Sequence, residues 1–187
     1  MKKFELTNEF VTNMFGTKLF RIRALVEFGD VEAGELGGYV EKESNLGHDD
    51  NAWVYDNAWV YGNAQVSGDA LVYGNARVYG NALVYDNAWV YGNARVCGDA
   101  RVCGNGDYAY AHGFGSVNRT TTFFRLKDGG VGVRCGCFYG TLAQFRDKIR
   151  ETHGETKKAQ EYLMLADLME LRFEEDENEV GNRKYVE

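Results

Sequence analysis

The sequence predicts a mainly β protein: a short solenoid with an N-terminal β cap and a C-terminal α+β module made of a hairpin and two helices. Three observations predict it. Nine valines from Val54 to Val102 stand six residues apart without a slip, each preceded two positions earlier by an alanine, Ala52 to Ala100. Two positions after each valine comes Gly or Asp, followed by Asn or Asp. Outside this array the period changes, to alternation before it and to helical spacing after it.

A short strict period in one chain marks a solenoid. Ala and Val at spacing two share one face of a short strand, so they point inward together. The residues between and after them, such as Trp53 and Tyr55, point outward. The Gly-Asn, Gly-Asp or Asp-Asn pairs turn the corners, because these residues tolerate left-handed backbone angles. A helix fails on two counts: period six does not fit 3.6 residues per turn, and Gly, Asn and Val are poor helix formers.

The phrase A-x-V-x-[GD]-[ND] over Asn51–Asn105 resembles the hexapeptide-repeat proteins. That resemblance implies a left-handed parallel β-helix of triangular section, with three hexapeptides to a coil and about three coils here. At a strand spacing of about 4.8 Å the stack is only about 14 Å tall. The pattern reaches upstream through "LGGYVEKESNL", where Val40 and Leu46 are also six apart, before "GHDDNA" shifts the register by two. Downstream, "GDYAYAHGFGS" reads as a decaying last turn. Both ends of so short a stack need covering, since open strand edges invite aggregation.

Sorting outward residues by coil gives three faces. The first carries Trp53, Leu71 and Trp89, flanked by Tyr55, Tyr73 and Tyr91. The second carries Trp59, Arg77 and Arg95 beside Tyr61, Tyr79 and Cys97. The third carries Gln65, Leu83 and Arg101 beside Ser67, Tyr85 and Cys103. An aromatic and aliphatic face of that size is rarely left in water. Its expected role is a subunit interface, in a homodimer or trimer. Packing by the C-terminal helices, or a stacking surface for a ligand, are the alternatives. Trp59, Arg77 and Arg95 are the better stacking candidates, against ordinary cation–π packing.

The flanks divide as follows. Residues 1–35 form the cap, with "KLFRIRALVEFGD" alternating as a strand or hairpin. Residues 36–118 form the solenoid, its core repeats at 51–105. Residues 119–173 form the α+β module: two β-rich runs flank Asp128-Gly129-Gly130, a hairpin signal. Thr141 then caps a helix with Gln144 three residues on, as in a capping box. Leu142, Phe145 and Ile149 make its apolar face and Gly154 ends it. A second helix runs from about Thr156 to Phe173, with Tyr162, Leu163, Ala166, Met169 and Phe173 as its buried stripe. Residues 174–187 form an acidic tail that opens with "EEDENE".

The composition narrows the function. The net charge of −7 argues against general nucleic-acid binding, which needs a basic surface. No apolar run is long enough for a membrane span, and the start lacks the apolar stretch of a secretory signal. A cytoplasmic protein is expected, and Cys97, Cys103, Cys135 and Cys137 fit it as reduced thiols. Cys97 and Cys103 fall on neighbouring faces, and Cys135 and Cys137 on one side of a strand, so buried small cysteines are expected and no metal. The Asp residues at corners are explained by Asx turns.

Many hexapeptide-repeat proteins are coenzyme-A-dependent acyltransferases with a His as general base. By that resemblance His112 is the one candidate base among His48, His112 and His153. Another branch resembles zinc carbonic anhydrases, which need three His ligands; no two histidines here share a coil. The wider layout, "LFRIRAL…AGELGGYVEKESNL" before the repeats and "GSVNRTTTFF" and "CGCFYGTLAQF" after them, resembles hexapeptide-repeat proteins of bacterial phages and prophages. That resemblance implies an origin and not an activity; the leading expectation is a non-enzymatic, cofactor-free binding protein, with the His112 acyltransferase as the alternative. Its role would be counter-defence, by inhibiting a host immune protein such as a CRISPR nuclease or by sequestering a small nucleotide signal. Ser116, Asn118 and Arg119 in that segment join Trp59, Arg77 and Arg95 as candidate partner-binding residues.

Overall fold

A computed structural model describes residues 1–115 and 118–174. The chain opens with three strands, β1 (Phe4–Thr12), β2 (Lys18–Ala24) and β3 (Leu36–Val40). Nine two-residue strands follow: β4 (Trp53–Val54), β5 (Trp59–Val60), β6 (Gln65–Val66), β7 (Leu71–Val72), β8 (Arg77–Val78), β9 (Leu83–Val84), β10 (Trp89–Val90), β11 (Arg95–Val96) and β12 (Arg101–Val102). Then come β13 (Tyr108–Phe114), β14 (Arg119–Arg125), β15 (Val131–Cys135), β16 (Phe138–Thr141), α1 (Leu142–His153) and α2 (Lys157–Phe173).

The short strands stack in parallel into three sheets, β4-β7-β10, β3-β5-β8-β11 and β6-β9-β12, which makes the solenoid three-sided. Every repeat Ala and Val is fully buried inside. Coils are joined by backbone hydrogen bonds such as Trp59 N to Ala76 O at 2.9 Å and Asn63 N to Gly80 O at 2.8 Å. The corners from Asp56 to Gly98 take positive φ, at Asp56 (52°) and Asp86 (53°) and at Gly in the rest. At Gly68 the requirement is double: φ is +66°, and a Cβ would stand 2.8 Å from the backbone N of Asp86 in the next coil. Corner side chains also form ladders between coils, with Asn81 Nδ2 donating to Asp99 Oδ1 at 3.0 Å and Asn51 Nδ2 to Asp69 Oδ1 at 2.8 Å.

The solenoid begins before the strict repeats. Tyr39 and Val40 pair in parallel with Trp59 and Val60, and Leu46 bridges Val66. The two-residue slip at "GHDDNA" is absorbed between these coils, giving about four turns in all. At this end β1 and β2 form an antiparallel hairpin, and β2 pairs with β3, so the cap continues the second face. Its apolar side, with Phe4, Ile22 and Val31, closes over the first coil. The buried Lys3 ammonium donates to the carbonyls of Ala52 (2.9 Å) and Asp50 (3.2 Å), satisfying groups the coil leaves open.

The far end departs from the sequence expectation. Residues 108–114 are not a decaying turn. They form β13, antiparallel to β14, in a four-stranded sheet β13-β14-β15-β16. The reason lies in β14, whose alternate residues serve two cores. Phe124 packs with the solenoid and Phe123 with the helices. Thr122 Oγ1 accepts from Arg95 N at 2.9 Å, and Leu126 bridges Ala100, so the sheet covers the last coil. The hairpin at Asp128-Gly129-Gly130 forms as expected, with Gly130 N donating to Asp128 Oδ1 at 3.0 Å.

Both helices form where expected. Thr141 and Gln144 exchange the two hydrogen bonds of a capping box, and Leu142, Phe145 and Ile149 are buried. In α2, Ala159, Tyr162, Ala166, Met169 and Phe173 are buried, while Leu163 is only partly so. A buried ion pair locks the module to the solenoid. Arg125 Nε lies 3.4 Å from Asp107 Oδ1, and Arg125 also donates to the carbonyl of Phe173 at the end of α2. Asp107 Oδ2 in turn accepts from the backbone N of Cys103 and Gly104 at 3.0 and 3.1 Å.

Candidate functional site

The first face splits in two. Trp53 is fully enclosed by the cap, with the Phe28 and Phe4 rings 5.3 and 6.2 Å from its own. It is therefore removed from the expected interface, because the cap brings its own aromatic cover. Tyr55, Leu71 and Tyr73 are half-buried. Trp89 and Tyr91 remain 47% and 41% exposed, with Tyr91 stacked on Tyr73 at 5.3 Å. The helices do not cover this face, since their buried sides belong to the core beneath β13–β16.

The exposed half has a neighbour that the sequence reading missed. Met164, Leu168 and Leu171 of α2 are 71%, 55% and 67% exposed. Their helical spacing puts them on one outer stripe, a pattern visible in the sequence once the buried stripe is assigned. Asn105 brings the two surfaces together: its Oδ1 accepts from Trp89 N at 2.9 Å, and its carbonyl accepts from Arg172 at 3.3 Å.

On the second face, Trp59, Arg77 and Arg95 stand in one column. The Arg77 guanidinium carbon is 4.1 Å from the Trp59 ring centroid, and Tyr61 and Tyr79 stack at 5.0 Å with planes 3° apart. Burial pushes the pKa of Arg77 down, with Arg95 adding repulsion. The column is thus already stacked on itself, which is the packing alternative. Cys97 is buried beside Tyr79, and its thiol is pushed up by that burial.

Arg119 opens a different site, while Asn118 just before it takes φ +48°. Ser116 lies outside the described residues. Arg119 lines a cavity of about 270 Å³ between the sheet and the two helices. Cys135 and Cys137 also line it; Cys135 ends β15 and Cys137 lies in the tight turn to β16, rather than the two sharing one side of a strand. Gly136 between them has φ +58°, and a Cβ there would collide with the Arg119 guanidinium. A hydrogen-bond chain forms the wall: Thr121 donates to Cys135 Sγ at 3.2 Å, the Cys135 thiol reaches Tyr162 Oη at 4.0 Å, and Tyr162 donates to the Phe114 carbonyl at 3.2 Å. Burial and Cys135 push the Tyr162 phenol up to about 12, so it stays a neutral donor. The Cys135, Cys137, Lys148, His153 and Tyr162 contributions were missed because they come from β15, the turn after it, α1 and α2.

The histidines do not converge. His48 bonds Glu43 at 2.8 Å and stacks on Phe4, and His153 stacks on Tyr162. His112 lies exposed on β13 with Thr120 Oγ1 at 2.9 Å and lines neither this cavity nor a second groove of about 460 Å³ across the third face. Among the described residues no helix is long and apolar enough to cross a membrane.

The stacked coils define the class: this is a β-solenoid repeat protein. The chain is similar to the family model described as YdcK Beta solenoid repeat, which matches residues 52–68, 64–78 and 76–92. The match covers the repeats up to residue 92 and not the last two short strands, the cap, the C-terminal sheet or the cavity. No curated protein matches the chain.

Proposed function

We propose that the protein is a non-enzymatic interaction protein that docks a protein partner on the foot of the first face and the outer stripe of α2. The observation that carries this reading is the exposure of Trp89 and Tyr91 on the first face and of Met164, Leu168 and Leu171 on α2, two elements that both hydrogen-bond Asn105. Large apolar side chains grouped on a surface mark interaction sites, and aromatic residues suit their centres. The solenoid supplies a rigid frame, covered at both ends by its own chain. Among the described residues His112 is exposed, bonded to Thr120, and lines neither cavity, which favours this reading over acyl transfer.

The setting we propose is counter-defence by a phage or prophage, in the host cytoplasm, with a host immune protein as partner. The layout of the caps around the repeats supports it. Self-association through the same surface is the first property to measure. Light scattering on the wild type and on a Trp89→Glu, Leu168→Glu variant reads it, and capture from infected-cell extract reads the partner. The expected result is a bound immune protein, or an oligomer, that the variant loses while staying folded. A monomer whose captured set is the same for both proteins overturns the proposal.

A further inference from the structure

We propose that the cavity at Arg119 binds a small aromatic oxyanion, a planar ring carrying a phosphate or carboxylate. Arg119 would hold the anionic group, and the ring would lie on the floor of Phe138, Phe145, Ile149 and Tyr162. The charge argument comes first. The chain carries a net charge of −7, yet the cavity is lined by Arg119, Lys148 and His153 with no carboxylate among the described residues. Lys148 shares its ammonium with Glu151 at 2.8 Å outside the cavity. Arg119 has no acidic partner among the described residues, so its guanidinium is the anchor, and a planar fork of donors matches a carboxylate or phosphate.

The site is also built. The exposed Arg119 side chain reaches over Gly136, whose lack of a Cβ leaves room for the guanidinium at the cavity mouth. The floor rings brace one another: Phe138 and Tyr162 lie 5.5 and 5.9 Å from Phe145, and His153 lies 6.0 Å from Tyr162 at 23°. The wall donors are occupied by the chain through Cys135, so they do not compete for the ligand. A volume of about 270 Å³ suits one ring and its anionic group, not an oligonucleotide. This inference is independent of the docking surface on Trp89 and Leu168.

Phenyl phosphate, benzoate, inorganic phosphate and benzyl alcohol are the probes, with calorimetry on the full chain. The phosphate and benzoate arms tell which oxyanion is preferred. Either aromatic anion is expected to bind at least about tenfold more tightly than inorganic phosphate or benzyl alcohol. Arg119→Gln should lose that margin, and Arg119→Lys should recover part of it. A second readout is alkylation of the exposed Cys137, which the bound ring should slow while leaving Cys103 unchanged. Equal binding of the neutral probe, binding untouched by Arg119→Gln, or no binding to the folded protein would each overturn the assignment.

Discussion

The guanidinium carbon of Arg77 lies over the Trp59 ring across one coil step, 4.1 Å from the ring centroid. Both side chains are half-buried, so the contact is part desolvated. A double-mutant cycle with Trp59→Leu and Arg77→Met should show a coupling of about 0.5–1 kcal/mol in urea unfolding. A coupling near zero would mean that the pair merely shares space.

Trp53 and Trp89 occupy equivalent positions on one face with opposite burial. Trp53→Ala removes a fully enclosed side chain and should cost about 3–5 kcal/mol. Trp89→Ala should cost under about 1 kcal/mol of stability, because nearly half of it already meets water. Its effect should appear in partner binding. Thermal and denaturant unfolding of the two variants separate these roles.

The Asp107–Arg125 pair is the buried joint between solenoid and C-terminal sheet. Removing Asp107 takes the carboxylate from a buried guanidinium that keeps its bonds to the Gly129 and Phe173 carbonyls, so Asp107→Ala should cost on the order of 3 kcal/mol. The paired change Asp107→Leu, Arg125→Met should be milder than Asp107→Ala alone. Hydrogen exchange should show β14 losing protection first in Asp107→Ala.

Lys3 gives the protein a pH signature. Burial lowers its pKa from 10.5 to about 8, against the pull of Asp50, Asp49 and Asp69. The folded state therefore releases this proton before the unfolded chain does. Between about pH 8 and 10.5 the unfolded state binds more protons, so this group's contribution to stability rises with pH. The half-buried Tyr85 and the buried Tyr162 oppose it at the alkaline end, because their raised pKa values favour folding only while the phenols stay protonated. Comparing wild type with Lys3→Met isolates the Lys3 slope. Parallel stability profiles from pH 8 to 10 would refute it.

The repeat was legible because its determinants are local. Ala and Val two apart choose the inside, and Gly, Asn and Asp choose the corners. The helix boundaries were legible for the same reason, through Thr141, Gln144 and Gly154. The strand at Tyr108–Phe114 was not, since its alternation of Tyr and Ala imitates one more repeat. Only pairing with β14 distinguishes them. The cavity was half legible: Arg119 stood out, but nothing in the chain order links it to Phe145 or Tyr162.

The octapeptide "DNAWVYGN" occurs twice, at 56–63 and at 86–93. In both places the sequence by itself determined the same local result, Ala and Val buried inside and a Trp facing out. Tertiary structure decided the rest. Trp59 lies under Arg77 from the next coil, while Trp89 has no further coil beside it and stays 47% exposed. Trp53, in the nearly identical "DNAWVYDN", disappears beneath Phe4 and Phe28. A strand of two residues dictates its own inward and outward sides through backbone alternation. What its outward side touches depends on chain that is distant in sequence, and those contacts determine which aromatic residues remain free to bind.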